Sequence, residues 1–362
     1  MSEPVDAAER AEESEPPHGH QRMRVSFNYL LVLLLLIVIA AGVLELIPAN
    51  VYVLLPGQAL PVSPMIAVKG HPARVKSGKL FLTDVSLYKA DHLLVELWGR
   101  IQPDSEIQPA ANVAGGLSAK QFNTYNLSLM DDSIHQAEAA ALNTIPGDHP
   151  HYASTGPRIA FVIAGLPAHH VLRAGDVVLA VNGHRTKRSS QVAPYVKSLR
   201  PGETVHLRII RNGKERSVSV KSVPSTNGQP AKNGKKALIG IEMQDQIVFP
   251  VKINVNPGNI GGPSGGLMFS LGIIQRLVPR DIARGCRVAG TGTIDFAGNV
   301  GVIGGAAQKV VAAENAGAQY FLVPADPTNL GPARQHAHNI KVVPVKTLAQ
   351  ALAFLKTIKP CR

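Results

Sequence analysis

The chain of 362 residues is long enough for two compact domains plus an anchor, and its 45% hydrophobic and 17% charged residues are typical of ordered globular protein rather than a disordered chain. Its formal net charge of +12 comes from scattered basic residues without an aromatic platform or a nucleic-acid motif, which argues against nucleic acid as a partner. We expect the basic surface to face anionic lipid headgroups or cell wall instead.

The first predicted element is an apolar helix. Every residue from Leu30 to Leu44 is apolar. The predicted span, residues 26–47, contains only three polar residues, Ser26, Asn28 and Glu45. Such a run can cross the hydrocarbon core of a bilayer, so we expect a transmembrane helix that contacts membrane lipid. A cleaved signal peptide is the alternative, but the long acidic stretch ahead of the run differs from a short basic n-region.

The charges that flank this helix predict its orientation. Arg22 and Arg24 lie just before it, whereas the first basic residue after it is Lys69. The positive-inside rule therefore places the N-terminus in the cytoplasm and everything after about residue 48 on the outer side. Residues 1–25 have little apolar content and are predicted to form a disordered cytoplasmic tail.

Residues 48–150 contain one clear strand pattern and one clear helix pattern. Residues 78–87 (GKLFLTDVSL) alternate and are rich in β-forming residues, which predicts a strand. Residues 131–142 (DDSIHQAEAAAL) begin with acidic residues and continue with alanines, which predicts a helix.

The next module, from about residue 156 to residue 221, consists of short predicted strands around one helix. The predicted strands are 159–163 (IAFVI), 176–181 (DVVLAV), 204–210 (TVHLRII) and 216–220 (RSVSV), with a helix near 190–199. Asn212-Gly213 between the last two strands predicts a tight hairpin, because both central residues of that turn need positive φ.

Three motifs in this module resemble the bacterial PDZ pattern. They are Gly165-Leu166-Pro167-Ala168, the run from Leu172 to Val178, and Val181-Asn182-Gly183. The resemblance implies a PDZ-like domain over residues 151–222 that binds an extended peptide as an added strand beside a helix. The residues expected to line that groove are Ile159, Phe161, Val192, Tyr195 and Val196. The loop 155–158 departs from the family's Gly-hydrophobic-Gly-hydrophobic form, so recognition of a C-terminus and of an internal segment both stay open.

Residues 223–236 are polar and turn-rich, which predicts a linker, and a further domain is expected over residues 237–362. The sharpest signal in that domain is the turn Gly261–Gly266, which opens an apolar helix. Such a turn exposes Ser264 near a helix N-terminus, where backbone N–H groups can stabilise an oxyanion. A simple helix N-cap is the other interpretation of this serine.

Lys309 lies in the first turns of a second predicted helix, residues 306–316. The positive end of that helix and the neighbouring Val310 and Val311 both disfavour the ammonium form, so the pKa of Lys309 is expected to fall. A neutral Lys309 could take the proton of Ser264. A solvated helix lysine is the alternative.

Together these segments resemble the proteolytic domain of the Lon family of serine-lysine peptidases. The matching pattern is a Gly-Pro-Ser-small-Gly turn before a helix, then Thr-Gly, then Gly-x-Val-x-x-Ile-Gly-Gly-x-x-x-Lys. The resemblance implies that Ser264 is the nucleophile, Lys309 the base and Thr291 the threonine that hydrogen-bonds the lysine. The turn residues implied at the oxyanion are Gly262, Pro263 and Gly265.

Two positions depart from the family pattern without removing the dyad. Gly261-Gly262 stands where Asp-Gly is usual, and Gly266 follows Gly265 where Ala-Gly is common. Both differences keep the turn flexible.

The chain lacks a Walker A sequence, because Gly78-Lys79, Gly213-Lys214 and Gly234-Lys235 are not followed by Ser or Thr. With its anchor and PDZ-like module it is similar to the membrane-bound, ATP-independent PDZ-Lon subfamily. The resemblance implies extended or unfolded polypeptide substrates, a homo-oligomer that is a hexamer, no cofactor, and a peptidase fold to which residues 48–150 contribute. The predicted fold class is α+β: a transmembrane helix, a β-rich PDZ-like module and a Lon-type proteolytic domain.

Two alternatives compete with this interpretation. Gly262-Pro263-Ser264-Gly265-Gly266 also fits the G-x-S-x-G elbow of α/β-hydrolases, with Asp326 and His336 or His338 following in order. That fold needs several strand-helix units before the elbow, where this chain has a PDZ-like module and a linker. The second alternative is a non-catalytic, membrane-tethered PDZ scaffold, against which the combination of serine, lysine and threonine argues.

The cysteines and histidines predict no metal site. Cys286 and Cys361 are the two cysteines and form no C-x-x-C pair, which excludes a thiol-ligated zinc site and leaves open whether they form a disulfide. The pairs 149/151, 169/170 and 336/338 are interpreted as surface or loop histidines.

Overall fold

The computed structural model describes residues 27–71, 76–147, 149–225 and 236–361. The predicted tail, residues 1–25, and most of the predicted linker lie outside these ranges. The chain divides into two units, Met1–Ile47 and Pro48–Arg362.

The elements are numbered in chain order. The α-helices are α1 (Phe27–Leu46), α2 (Leu93–Arg100), α3 (Ala110–Ala114), α4 (Ala119–Leu142), α5 (Ser189–Lys197), α6 (Gly266–Leu277), α7 (Ala306–Asn315), α8 (Pro327–Gln335) and α9 (Leu348–Thr357). The strands are β1 (Pro48–Pro61), β2 (Ile66–Val68), β3 (Lys79–His92), β4 (Glu106–Pro109), β5 (His151–Tyr152), β6 (Arg158–Val162), β7 (Val177–Val181), β8 (His184–Arg185), β9 (Thr204–Arg211), β10 (Lys214–Lys221), β11 (Val223–Pro224), β12 (Ala237–Leu238), β13 (Ile241–Gln244), β14 (Ile247–Val248), β15 (Ile253–Val255), β16 (Arg287–Gly290), β17 (Thr293–Ile294), β18 (Val300–Gly301), β19 (Tyr320–Pro324) and β20 (Lys341–Val345).

The first unit consists, where it is described, of the apolar helix α1. The segment Asn28–Leu46 is long and apolar enough to cross a membrane. Its side chains are not buried by other described parts of the protein. By its length, composition and place near the N-terminus, this helix fits a membrane anchor or a signal sequence.

The second unit contains a six-stranded sheet built from both ends of the chain. Its strand order is β20-β19-β16-β3-β1-β4, with parallel pairing from β20 to β3 and antiparallel pairing from β3 to β4. Along β3, Leu80 and Leu82 face a core formed with α4, α6 and α9, while Phe81 faces a core formed with α7. A strand that is buried on both faces has apolar residues at successive positions, which explains the run from Leu80 to Leu82.

A second sheet forms the middle module, in the order β10-β9-β7-β6-β13. In β9 the side chains alternate between exposed and buried, so one face of this sheet covers the module's own core. The hairpin from β9 to β10 turns through Asn212 and Gly213, whose φ angles are 52° and 73°. This is the positive-φ turn that the Asn-Gly pair predicts.

Cys286 and Cys361 form a disulfide with their Cα atoms 4.8 Å apart. Cys286 lies directly before β16 and Cys361 follows α9, so the bond ties the end of the described chain to the central sheet.

Candidate functional site

The serine of the glycine turn is held from outside its own segment. Pro263–Gly265 form a short 3-10 turn that leads directly into α6, and Gly262 before it has a φ of +86°. The N–H of Gly262 donates to the carbonyl oxygen of Asn126 at 2.8 Å, and the Ser133 hydroxyl donates to the Pro263 carbonyl oxygen at 2.8 Å. Both partners lie on α4, so this helix positions the turn that carries Ser264.

Lys309 meets Ser264 although 45 residues separate them. The Lys309 Nζ lies 2.8 Å from the Ser264 Oγ and 3.3 Å from the Thr291 Oγ1. The Thr291 hydroxyl donates in turn to the Ser264 carbonyl oxygen at 3.2 Å, so its lone pairs are left to accept from the lysine. The structure thus brings together the three residues predicted for catalysis.

The environment of Lys309 favours its neutral form. The side chain is 4% exposed, and burial lowers its pKa from 10.5 to about 8, while the charge of Asp84 acts in the opposite direction. Desolvation dominates because water cannot stabilise the ammonium group there. A lysine of this kind can accept a proton from the serine hydroxyl near neutral pH.

The approach to α7 explains how the lysine is buried. Gly305 precedes the helix with a φ of +68°, and a side chain there would collide with Val85. The first turns of α7 are buried, including Ala306 and Val310, which belong to the core beneath the sheet. The Gly304-Gly305 pair therefore lets the chain turn tightly against β3 and directs Lys309 inward.

A cavity of about 600 Å³, here called the catalytic groove, opens beside the dyad. Its apolar lining residues include Leu54, Leu82, Val113, Phe122, Met130 and Ile260. The charged residues among its described lining are Asp84 and Lys309. β3 pairs with β16 only from Lys79 to Leu82. Its next residues, which line the groove up to Leu87, have no strand partner on that side within the described chain. The groove thus offers an apolar wall and an open strand edge.

The predicted PDZ groove does not form where the sequence placed it. β6, which carries Ile159 and Phe161, is already paired along its outer edge with β13. Ile159 is fully buried, and Phe161 contacts Tyr125 of α4 with ring centroids 5.8 Å apart. An added strand cannot reach an edge that another strand occupies. Among the described strands, the two edge strands of this sheet are β10 and β13, and β13 is the one beside β6.

Helix α5, the helix of the predicted groove, begins near the end of β13, because the Ser189 N–H donates to the Asp245 carboxylate. Val192 and Val196 of α5 are buried in the module's core, and Tyr195 stacks on His184 with centroids 4.6 Å apart. The loop before β13 reads Leu238-Ile239-Gly240-Ile241, with Gly240 at a φ of +85°. The run Ile239-Gly240-Ile241 has the hydrophobic-Gly-hydrophobic form that residues 155–158 lack. It lies within the range 237–362 that the sequence predicts as the proteolytic domain, outside the predicted PDZ-like domain.

Helix α4 connects the two sheets of the second unit. On its PDZ side the Gln244 amide donates to the Asp131 carboxylate at 3.0 Å and lies 2.9 Å from the His135 Nδ1. Burial raises the pKa of Asp132 to about 6, of Glu138 to about 8 and of Glu242 to about 7. Because Gln244 is the last residue of β13, its hydrogen bonds join β13 to α4, the helix that also holds the Ser264 turn.

The α/β-hydrolase alternative is contradicted by the geometry. His336 Nδ1 lies 2.8 Å from a carboxylate oxygen of Asp104, and His338 lies near Glu314. Asp326 accepts hydrogen bonds from Thr328. No histidine is found among the described residues that line the catalytic groove. Within the described ranges, no group of three or more His, Cys, Asp or Glu residues could hold a metal ion.

Two family models match the chain. Residues 132–222 match the PDZ domain, and residues 228–355 match the Lon protease (S16) C-terminal proteolytic domain. The chain therefore carries a PDZ domain followed by a Lon-type proteolytic domain, in a mixed α+β fold, and neither matched family is an ATPase domain. A Lon proteolytic domain implies a serine peptidase with a Ser-Lys dyad that acts on polypeptides. The predictions of both modules and of the enzyme class are confirmed.

Individual relatives cover only part of the chain. Proteins named "Probable periplasmic serine endoprotease DegP-like" from Bartonella henselae and Halomonas elongata are 32% identical over 81 residues and 41% identical over 56 residues. These matches span 22% and 16% of this chain but only 16% and 12% of the relatives' own length. PDZ domains of SdrC-like proteins from Listeria monocytogenes and Listeria innocua match with TM-scores of 0.22 and 0.21 and identities of 24% and 27%. They cover 26% and 24% of this chain and 92% of each structure.

Proposed function

We propose that the protein is an ATP-independent, membrane-anchored endopeptidase that cleaves extended or unfolded polypeptides outside the cytoplasm, with Ser264 as nucleophile and Lys309 as base. The observation that carries the proposal is the 2.8 Å contact between the Lys309 Nζ and the Ser264 Oγ at a buried lysine of lowered pKa. Nucleophile and base within hydrogen-bond reach are the requirement for activating a serine.

The reaction proceeds by acyl transfer. Neutral Lys309 takes the hydroxyl proton as the Ser264 Oγ attacks the peptide carbonyl carbon, and backbone N–H groups at the start of α6 stabilise the oxyanion. The resulting ammonium group then donates its proton to the leaving amine. Water next attacks the acyl-enzyme, with Lys309 again as the base. Thr291 keeps the lysine directed at the serine throughout, since it accepts from the Nζ.

The substrate is proposed from the shape of the catalytic groove. The unpaired edge of β3 can accept an extended backbone as a further strand, and the apolar wall can accept apolar side chains. A folded domain keeps most of its strands paired and most of its large apolar side chains buried, so few of its segments can enter the groove. The groove therefore suits unfolded chains that reach it without an unfolding motor.

The PDZ domain is proposed to recruit such chains. One of its two edge strands is β13, and the Leu238–Ile241 loop at the start of that strand suits a terminal carboxylate. An excess of a short peptide with an apolar C-terminus should slow cleavage of a long unfolded polypeptide but not of a short reporter peptide. Equal inhibition of both substrates would show that the peptide blocks the catalytic groove instead.

The outer location is supported by two observations. Arg22 and Arg24 precede the apolar helix α1, which favours a cytoplasmic N-terminus. The disulfide between Cys286 and Cys361 is of the kind that persists in oxidising compartments. A hexameric homo-oligomer stays a proposal based on the Lon resemblance.

The test is cleavage of a chemically unfolded protein by the full-length chain without nucleotide, compared with the same protein in its folded form. We expect cleavage of the unfolded form only, and none by Ser264→Ala. A dependence on ATP, or full activity of Ser264→Ala, would contradict the proposal.

A further inference from the structure

Helix α2 carries a stripe of apolar residues that are exposed in the described part of the chain. Leu94, Leu97, Trp98 and Ile101 follow one another at spacings that place them on one helix face. Trp98 is 40% exposed and Ile101, just past the helix, is 78% exposed.

The exposure of this stripe does not come from loose packing of the helix. Gly99, on the opposite face, is buried so closely on β1 that an added Cβ would lie 2.5 Å from the Val53 side chain. The helix is therefore firmly seated on the sheet, and the apolar residues on its outer face are held in place.

An aromatic pair adds to the stripe. The rings of Trp98 and Tyr88 meet edge to face, with centroids 5.7 Å apart and an interplanar angle of 77°, and both are well exposed. Tryptophan and tyrosine combine an apolar ring with a polar N–H or O–H group. These two residue types are enriched where the hydrocarbon of a bilayer meets its headgroups.

The start of α2 lies next to the first residue of the second unit. Pro48 follows Ile47, the last residue of the first unit, and pairs with His92, while α2 begins at Leu93. One strand spacing and one residue of chain therefore separate Pro48 from Leu93, a path of about 9 Å. The stripe thus begins beside the point where the chain leaves its apolar helix.

The charges of α2 indicate whether the stripe needs anionic lipid to bind a membrane. Glu96 and Arg100 form an ion pair with each other on the same helix, so the helix offers no excess of positive charge to anionic headgroups. Attraction of the stripe to a membrane would come from its apolar side chains. Neutral lipid should be sufficient.

We propose that the stripe of α2, together with Tyr88, lies in the boundary between headgroups and acyl chains of the bilayer and forms a second membrane contact beside the anchor. This inference rests on the membrane-anchor part of the proposed function. An amphipathic helix at such a boundary buries its apolar face while its polar face stays in water.

Trp98 is the only tryptophan of the chain, so its fluorescence reports on the stripe without a label. The full-length chain is reconstituted into phosphatidylcholine vesicles and, in parallel, into vesicles whose acyl chains carry bromine, a contact quencher. We expect loss of most of the Trp98 emission in the brominated vesicles. The loss should be unchanged by high salt or by added anionic lipid.

A matched pair of variants identifies the contact. Leu97→Glu should restore the emission and shift it to the red, because a carboxylate keeps this face in water. Leu127→Glu changes a residue of similar exposure on α4, 41% against 39%, and should leave the quenching as it is.

Flotation of the vesicles separates the two proposals. Chains that float with the vesicles but keep their Trp98 emission would overturn the second contact and leave the anchor intact. Chains that do not float would overturn the anchor, and the second contact with it. A blue-shifted but unquenched emission that disappears in nanodiscs holding one chain would show that another copy covers the stripe, which also overturns the proposal.

Discussion

The pH dependence of hydrolysis follows from the burial of Lys309. The lysine acts as a base only in its neutral form, and burial lowers its pKa from 10.5 to about 8. At pH 7 about a tenth of the molecules would carry a neutral lysine, against about 3 in 10,000 for an unperturbed group, a gain of about 300-fold. The same shift corresponds to about 3 kcal/mol of differential interaction between the two protonation states.

The measurement is kcat/KM for a short fluorogenic peptide between pH 6 and pH 10. We expect the value to rise about tenfold per pH unit below about pH 8 and to level off above it. The reason is that the pH dependence of kcat/KM reports the pKa of the base in the free enzyme. Lys309→Ala should be as inactive as Ser264→Ala, since the two residues act as one unit. Lys309→Arg should be inactive across this range, because a guanidinium is not deprotonated there.

The controls are His336→Ala and His338→Ala, which should leave both the rate and its pH profile unchanged. An ascending limb near pH 6.5 would indicate a histidine base. A limb near pH 10.5 would show that burial does not act on this lysine. Either result, or retained activity in Lys309→Ala, would refute the reasoning.

Three further predictions concern the same domain. Lys309→Met should stabilise the fold by up to about 3 kcal/mol below pH 8, because the pKa of the lysine is lower in the folded state and the unfolded chain holds the extra proton between about pH 8 and pH 10.5. Denaturant titrations of the unsubstituted protein and of Lys309→Met should show the gain in unfolding free energy fading toward pH 10.5. A difference that does not change with pH would contradict this prediction. Thr291→Val should lower kcat with little change in KM and move the ascending limb of the profile, whereas Thr291→Ser should restore both; an equal loss in the two variants would argue against a positioning role. Cys361→Ser should cost about 4 kcal/mol by the loop-entropy estimate, since the disulfide closes a separation of 75 residues; a thermal transition insensitive to this change and to reductant would count against it.

Much of the candidate site could be predicted because its motifs are local. A Gly-Pro-Ser-Gly turn before an apolar helix, and two glycines before the helix of Lys309, restrict the backbone over a few residues by steric rules alone. The hairpin at Asn212 is of the same kind. These features need no knowledge of distant segments.

The PDZ groove could not be predicted correctly for the opposite reason. β13 pairs with β6 across about 80 residues of sequence, and nothing within the segment 158–162 indicates which strand will take its outer edge. Every residue type except proline offers the same backbone donor and acceptor. The choice of partner is therefore made by packing of side chains from both strands.

The sequence by itself determined the apolar helix, the PDZ and Lon motifs and the turns that expose Ser264 and precede Lys309, since each depends on neighbouring residues. Only the tertiary structure decided that Lys309 is buried within 2.8 Å of Ser264, that α4 holds both the serine turn and the PDZ sheet, and that Cys286 pairs with Cys361. Burial is a property of the surroundings that distant segments build. A lysine's pKa, and with it the chemistry of the site, is therefore set by contacts that no local pattern contains.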